Sequence, residues 1–358
     1  PAMRTFPGAE TIVGAGSHAI LSRTRPMRMT GNHFSAVTAD IKMCPLVASR
    51  RAQQNLSIMS AMQEKHEGLV EAHTAAPLTI FKKIYPTDYF RRHLEERIRE
   101  DGRSLDQFRS ASLATGILSQ PYGSALVRFG EGTLVTAAVH AEVAEPTLER
   151  PNEGFVIPNV ELPALCSPQY KAGPPGDEAQ IMTHYLQMFL NQSGILPCTS
   201  LCIETGSAVW VLHVDVVCIS ADGSVMDAAA LAAVAALYDC RLPRVSRYMN
   251  SSQVICDTDA AERLSLTCIP ILTTISLYDW TYLLADATEF EQSLCAGSIQ
   301  MGTLDDKPNG IFWTKVRGRC TAMQPHVLEN ESLIEWCERT TQNRAQQLRS
   351  LLLDALRA

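Results

Sequence analysis

The chain has 358 residues, 46% of them apolar and 19% charged, and carries a formal net charge of −7. That length and apolar share can bury one large core or two moderate ones, which excludes wholesale disorder. No apolar run approaches the roughly 20 residues of a membrane span, since even 209–219 carries His213 and Asp215, so a soluble globular protein without a membrane partner is expected.

Charge is unevenly spread. Residues 1–75 hold eight Lys/Arg and five Asp/Glu, a net of +3, which leaves −10 on the remainder. An acidic body argues against a protein that grips nucleic acid alone, so any RNA contact should be local or shared within an assembly. The 11 cysteines follow no disulfide or metal rhythm, and Cys198 and Cys202 have no later partner pair. Reduced thiols of an intracellular protein, with no metal and no cofactor, are the expectation.

In chain order, residues 1–75 mix Gly, Ser, Thr, Ala, Met and Arg without sustained periodicity and are expected to form a loosely ordered extension to a domain over 76–358. The arginine-rich first forty residues also fit a transit peptide, an upstream readthrough or a natural tail. Gly14-Ala15-Gly16-Ser17-His18-Ala19 matches a dinucleotide fingerprint by spacing, but no strand of useful length precedes it. Organised structure is predicted from Pro86. A capped helix should run to Asp101-Gly102 with Tyr89, Phe90, Leu94 and Ile98 facing inward. A β-meander follows over 110–143, with turns at Pro121-Tyr122-Gly123 and Gly130-Glu131-Gly132. Residues 144–158 read as a loop. A helix from Asp177 should bury Ile181, Tyr185, Met188 and Phe189.

Next come the apolar strand within 201–220, the Asp222-Gly223 turn and an alanine-rich helix over Asp227–Tyr238. Further strands are predicted around 264–277, 282–286, 298–301 and 310–315, and a long helix over 329–356 closes the chain. Strand groups alternating with helices twice read as an α/β (α+β) domain.

The chemical candidates are few. His213 and Asp215 share one face of a strand; an acid–base pair is one reading and pairing within a sheet between packed layers is the favoured one. Asp286, Glu289 and Glu291 could hold Mg²⁺, although three acids after a strand are more often solvated. Lys82-Lys83 and Arg91-Arg92 could touch phosphate or remain a solvent or partner surface. The strand-to-helix turn at Asp222-Gly223 is a natural anion site, yet Ser224-Val225-Met226 supply no cation there. No P-loop, HExxH, G-x-S-x-G or CxxC pair is present.

Several segments together resemble the RNase PH family, in its eukaryotic RNA exosome branch. They are Asp101-Gly102-Arg103 with Phe108-Arg109, Gly123-Ser124-Ala125-Leu126-Val127-Arg128, Pro158-Asn159-Val160-Glu161-Leu162-Pro163, Cys166-Ser167-Pro168, and Gly173-Pro174-Pro175-Gly176-Asp177-Glu178-Ala179-Gln180. The match continues through 210–237 and 286–297. The resemblance implies an RNase PH-like fold of two βαβα-type halves (ribosomal protein S5 domain 2-like), about 86–240 and 241–358, with a long C-terminal helix. It also implies a hexameric ring of RNase PH-like subunits, S1/KH-type caps, an associated nuclease, RNA passing through a channel, and residence in nucleus, nucleolus and cytoplasm.

Phosphorolytic members carry a Gly-Thr-Arg phosphate loop after the central strand, where this chain has Ser224, Val225 and Met226. Where they carry an aspartate after the acidic turn, this chain has Gly297-Ser298. Upstream arginines are replaced by Ser167-Pro168-Gln169-Tyr170, leaving Lys171 as the nearby cation. Phosphate would then meet Asp222 and Asp227 without a compensating arginine. The resemblance therefore implies a catalytically silent ring subunit supporting RNA processing and decay, including ribosomal RNA maturation, with Lys171 and Arg128 as candidates for the channel wall. An active phosphate-dependent 3′→5′ exoribonuclease, alone or with a site shared across a heterodimer, is the alternative. A stand-alone RNA-binding module using the basic extension is a third reading.

Overall fold

The structure is a computed structural model, and it describes residues 80–247, 254–279, 281–305, 310–318 and 332–357. The extension expected over 1–75, with its Gly14–Ala19 motif, lies outside these residues. The described elements are α1 (Pro86–Glu95), β1 (Ala111–Thr115), β2 (Gly123–Phe129), β3 (Thr133–Ala144), β4 (Phe155–Glu161), α2 (Asp177–Ser193), β5 (Cys202–Glu204), β6 (Ala208–Ser220) and α3 (Val225–Asp239). They continue with β7 (Arg241–Arg247), β8 (Val254–Arg263), β9 (Ile271–Tyr278), β10 (Tyr282–Ala285), α4 (Glu289–Leu294), β11 (Gly297–Thr303), β12 (Ile311–Gly318) and α5 (Leu333–Arg357).

The meander β1–β2–β3 continues into a six-stranded sheet of order β1-β2-β3-β6-β4, with β5 also paired to β6. Strand β4 runs parallel to β6, and the other pairs are antiparallel. A second sheet has the order β10-β9-β11-β12, and β7 and β8 form a separate hairpin. The mixed α/β class expected from the alternation of elements is the class observed.

Helix α3 lies between the two sheets, touching β2, β3 and β6 on one side and β9 on the other. Its sequence explains that position, because every residue from Met226 to Leu237 is buried and a helix apolar all round has no solvent face. Alanine also permits close backbone approach. A Cβ at Gly123 of β2 would sit 2.4 Å from the Ala236 carbonyl oxygen and 2.7 Å from Cys240 Cα. Burial of each larger side chain on this helix, such as Leu231 and Val234, contributes roughly 1.5–3 kcal/mol.

Several predicted boundaries are corrected. Helix α1 ends at Glu95 rather than Asp101, because Arg97 turns to φ +56° and breaks the helical repeat. The chain then exposes Ile98 and buries Arg99, the reverse of the expected pattern. In α2 the buried face is Ala179, Leu186, Phe189 and Leu190, while Ile181 is exposed and Tyr185 and Met188 are half-buried. Part of the loop expected at 144–158 is strand β4, which tolerates Pro158 because it lies at a sheet edge. The strand expected from 264 begins at Ile271, and the β7–β8 hairpin was not anticipated.

His213 and Asp215 do share a sheet face, but it is the half-exposed face turned away from α3, not a layer interior. His213 Nε2 lies 3.1 Å from Glu142 Oε1, and the Asn159 amide donates to Asp215 at 3.4 Å. Among the described residues no cluster of His, Cys, Asp and Glu could hold a metal ion, and no helix is long and apolar enough to cross a membrane. The nine cysteines among them are free thiols.

Candidate functional site

The turn between β6 and α3 is the natural place for chemistry, since a long helix directs its first amides there. Asp222 and Gly223 make the turn, with Gly223 at φ +73°. Only glycine fits, because a Cβ would meet the Ala287 carbonyl oxygen at 2.1 Å. Ser224 caps α3 in the left-handed region (φ +49°) and is buried, Val225 is partly buried, and Met226 packs in the main core. The Ser224 hydroxyl makes no hydrogen bond of ordinary geometry, although it is close enough to Asp286 to help hold that carboxylate ionised.

An arginine does stand at this turn, which corrects the expectation that its cation is missing. Arg109, just before β1, is 8% exposed and donates from Nη1 to the Asp222 carbonyl at 2.7 Å and from Nη2 to the Gly223 carbonyl at 3.4 Å. Its main partner is Asp286, reached from Nε at 2.9 Å and Nη2 at 2.7 Å, while the Arg109 backbone N–H donates to the same carboxylate at 2.9 Å. Burial alone would raise the Asp286 pKa, but the hydrogen bonds and charge of Arg109 outweigh it and hold the group at about 2. Reciprocally, burial would lower the Arg109 pKa, and Asp286 holds it above its ordinary value. The guanidinium approaches the turn from behind and is spent there.

The acidic segment 286–291 is therefore neither a Mg²⁺ site nor a solvated turn. Asp286 and Glu291 are buried. Glu291 is gripped by both Nε and Nη2 of Arg99, whose other bonds reach the carbonyls of Ala285 at 2.7 Å and Asp286 at 2.9 Å. Thr288 and Glu291 form a capping box at the start of α4. The Thr288-x-x-Glu291 spacing is a signal for that helix that can be read in the sequence, and the expected elements above lack it. Glu289 accepts from Gln169 and from the Ser167 hydroxyl, at 3.4 Å for the latter.

The three departures read from the sequence are thus largely neighbours in space. The Ala221 N–H donates to the Cys166 carbonyl at 3.1 Å, Glu289 N–H donates to Asp222 at 3.2 Å, and Ser167 and Gln169 close the circuit. Gly297-Ser298 stand apart as the first residues of β11, paired with β9 and β12.

Asp227 does not face the turn as expected. It is 6% exposed and accepts from Thr274 N–H at 2.7 Å and from the Thr274 hydroxyl at 2.6 Å. Burial pushes its pKa up to about 7, partly opposed by those two bonds. The folded state then holds a proton that the unfolded chain has released, so this group makes stability fall as pH rises from about 4 to about 7. Asp227→Asn keeps an oxygen for the Thr274 N–H and is expected to abolish that fall. Denaturant midpoints at about pH 5 and about pH 8 would check it. A parent fall left intact in the variant would assign it elsewhere.

Lys171 and Arg128 are both exposed but stand on different parts of the fold. Arg128 lies on β2, and Lys171 follows β4, three positions away in the sheet order. Lys82 pairs with Glu100 at 2.6 Å and also lies over the Phe290 ring, while Arg91 approaches Asp279 at 3.7 Å.

Residues 107–243 match the model of the 3′ exoribonuclease family, domain 1 (RNase PH). The chain is 36% identical over 255 residues to exosome complex component rrp43 of Schizosaccharomyces pombe, covering 70% of this chain and 91% of that protein. It is 30% identical over 213 residues to exosome complex component Rrp42 of Methanothermobacter thermautotrophicus, covering 60% and 77%. Among solved structures, it is similar to a chain of the Archaeoglobus fulgidus exosome with RNA bound to the active site, with a TM-score of 0.62, 26% identity, and 74% and 96% coverage. A chain of an archaeal exosome core shares the fold with a TM-score of 0.60 at 24% identity, covering 74% and 95%.

Proposed function

The chain belongs to the RNase PH family of exosome ring components, and from that premise we propose that it is a catalytically silent subunit of an RNA exosome core ring. It holds its place among other RNase PH-like subunits and supports 3′→5′ RNA processing and decay, including ribosomal RNA maturation. In this reading an associated nuclease performs cleavage, S1/KH-type proteins cap the ring, and the assembly works in nucleus, nucleolus and cytoplasm. Lys171 and Arg128 remain candidates for contact with RNA in the channel.

One observation carries the absence of phosphorolysis. At the β6–α3 turn the guanidinium of Arg109 is bound by Asp286 and two backbone carbonyls, and Ser224 and Met226 are buried. Phosphorolysis needs a cation free to hold inorganic phosphate as it attacks the terminal phosphodiester and displaces the 3′-oxygen of the shortened RNA. A guanidinium already saturated by a carboxylate cannot supply that.

The test is an assay of the purified chain, alone and with a verified ring partner, using single-stranded RNA, Mg²⁺ and inorganic phosphate. No nucleoside diphosphate beyond the partner's own output is expected. Phosphate-dependent release that disappears in Arg109→Met, with the fold intact by circular dichroism, would identify an active enzyme. Native mass determination of the tagged chain from its own cells tests the ring itself, since a monomer or homo-hexamer would overturn it.

A further inference from the structure

The base of the β7–β8 hairpin presents two arginines without partners. Arg241 and Arg263 stand directly opposite each other in the antiparallel register, so their side chains leave the same face of the hairpin from Cβ atoms about 4.5–5.5 Å apart. Both are exposed, and neither makes an ion pair or a side-chain hydrogen bond with another described residue. Like charges placed directly opposite one another destabilise a strand pair. The strands are nonetheless held in register there, because Leu242 is buried in the main core and Val245 and Leu264 pack against it. Glu262 precedes Arg263, but the alternation of a strand sends it to the other face, opposite Leu242.

An exposed apolar loop is fastened beside this pair. The Arg241 N–H donates to the Tyr122 carbonyl at 3.0 Å, the Ser124 N–H donates to Asp239 at 3.2 Å, and the Leu118 N–H donates to the Ser124 hydroxyl at 3.0 Å. In that loop Ile117, Leu118 and Tyr122 are 49%, 44% and 41% exposed. Residues 116–122 carry no charge of their own. Of the neighbouring carboxylates, Asp239 is half-buried and engaged by the Ser124 N–H. Asp354, near the point where the Thr115 hydroxyl meets the Ala355 carbonyl, is paired with Arg357 at 3.8 Å. Two arginines against Asp239 leave the patch positive, within a chain of net charge −7.

We propose that this patch docks an acidic, apolar segment of another protein, with its carboxylates between Arg241 and Arg263 and an aliphatic side chain against Ile117 and Leu118. A carboxylate accepts parallel bonds from a guanidinium, and one placed between two of them relieves the repulsion that the isolated hairpin carries. Phosphate would also satisfy the arginines, but Ile117 and Leu118 offer no flat ring on which a base could stack. Exposed aliphatic side chains beside unpaired cations match a protein segment in which carboxylates and aliphatic residues lie together. The proposal goes beyond the ring role and does not rest on it.

The experiment measures binding of fluorescein-labelled peptides to the full chain by fluorescence anisotropy. A peptide of Glu-Leu repeats should bind, and added potassium chloride should weaken it, since exposed charges are screened. A peptide of Glu-Ser repeats and a labelled uridine oligomer should each bind at least roughly 10-fold more weakly, because neither buries an aliphatic side chain. Arg263→Glu sets a carboxylate opposite Arg241, so it should weaken the Glu-Leu peptide roughly 10-fold or more while leaving the melting temperature at or above that of the parent. Ile117→Ser with Leu118→Ser should bring the Glu-Leu peptide down to the affinity of the Glu-Ser peptide. Undetectable binding by the parent, parent-like affinity in either variant, or Glu-Ser binding as tight as Glu-Leu binding would each overturn the proposal. So would Arg263-dependent binding of the uridine oligomer as tight as that of the Glu-Leu peptide, since the patch would then be a nucleic-acid contact. If Arg263→Glu melts below the parent, Arg241→Gln with Arg263→Gln, which removes both charges and reverses neither, decides the same comparison. Native mass of the assembly reads the ring role separately, and neither result depends on the other.

Discussion

Asp286→Ala is expected to cost roughly 3–5 kcal/mol of folding stability, because it strands the Arg109 guanidinium in a protein interior. The side chains of Arg109 and Asp286 are 7% and 4% exposed, so solvent cannot replace the missing partner. The carbonyls of Asp222 and Gly223 would remain, but neutral acceptors do not neutralise a buried cation. The melting temperature should fall by about 10 °C for a domain of this size. The pH dependence supplies a second readout. With a folded pKa of about 2 against an ordinary 3.8, Asp286 contributes stability above pH 4 that is lost as pH falls from about 4 to about 2. The variant should lack that part of the acid limb. Replacing the whole pair, Arg109→Met with Asp286→Leu, should recover most of the loss, since a buried ion pair offsets little more than its own desolvation. A single variant as stable as the parent would show that the network is not what fastens the β6–α3 turn to the 286–291 segment.

That network marks where sequence patterns suffice and where they stop. The alanine run of α3, the alternation in β2 and β3 and the Asp222-Gly223 turn are local patterns, and each leads to the right element. The fates of Arg99 and Arg109 are decided by Glu291 and Asp286, which lie 192 and 177 residues away in the chain. No window of periodicity reports such a pairing. The same gap produces the error at Ile98, where the hydrophobic pattern is right for a continuing helix. Arg97 ends the helix early and hands the inward position to Arg99. In the site, the residues that depart from a phosphate loop are legible in the sequence, but the arginine that occupies the turn from behind is not. Nor is the inward orientation of Asp227, because Thr274, its partner, lies 47 residues on.

Those inward orientations decide what an attempt to rebuild the phosphate loop would do. Met226→Arg places a cation where active relatives of the sequence pattern carry an arginine, yet it is expected to destabilise the protein by roughly 3 kcal/mol or more and to create no phosphate-dependent activity. Met226 is 8% exposed and belongs to the main hydrophobic core. A guanidinium there must either remain buried or push outward through a turn already closed by Gly223 against Ala287. Asp227 next to it does not solve the problem, since its two oxygens are engaged by Thr274 and burial already favours its protonated form. Thermal melting and a phosphorolysis assay on the same sample would check both halves of the expectation. A variant that kept parental stability and released nucleoside diphosphates only with phosphate would mean that this turn is one substitution from an active site. The observed packing argues that several neighbours must change together, Arg109 and Asp286 among them, before an anion could take the place that protein atoms now fill.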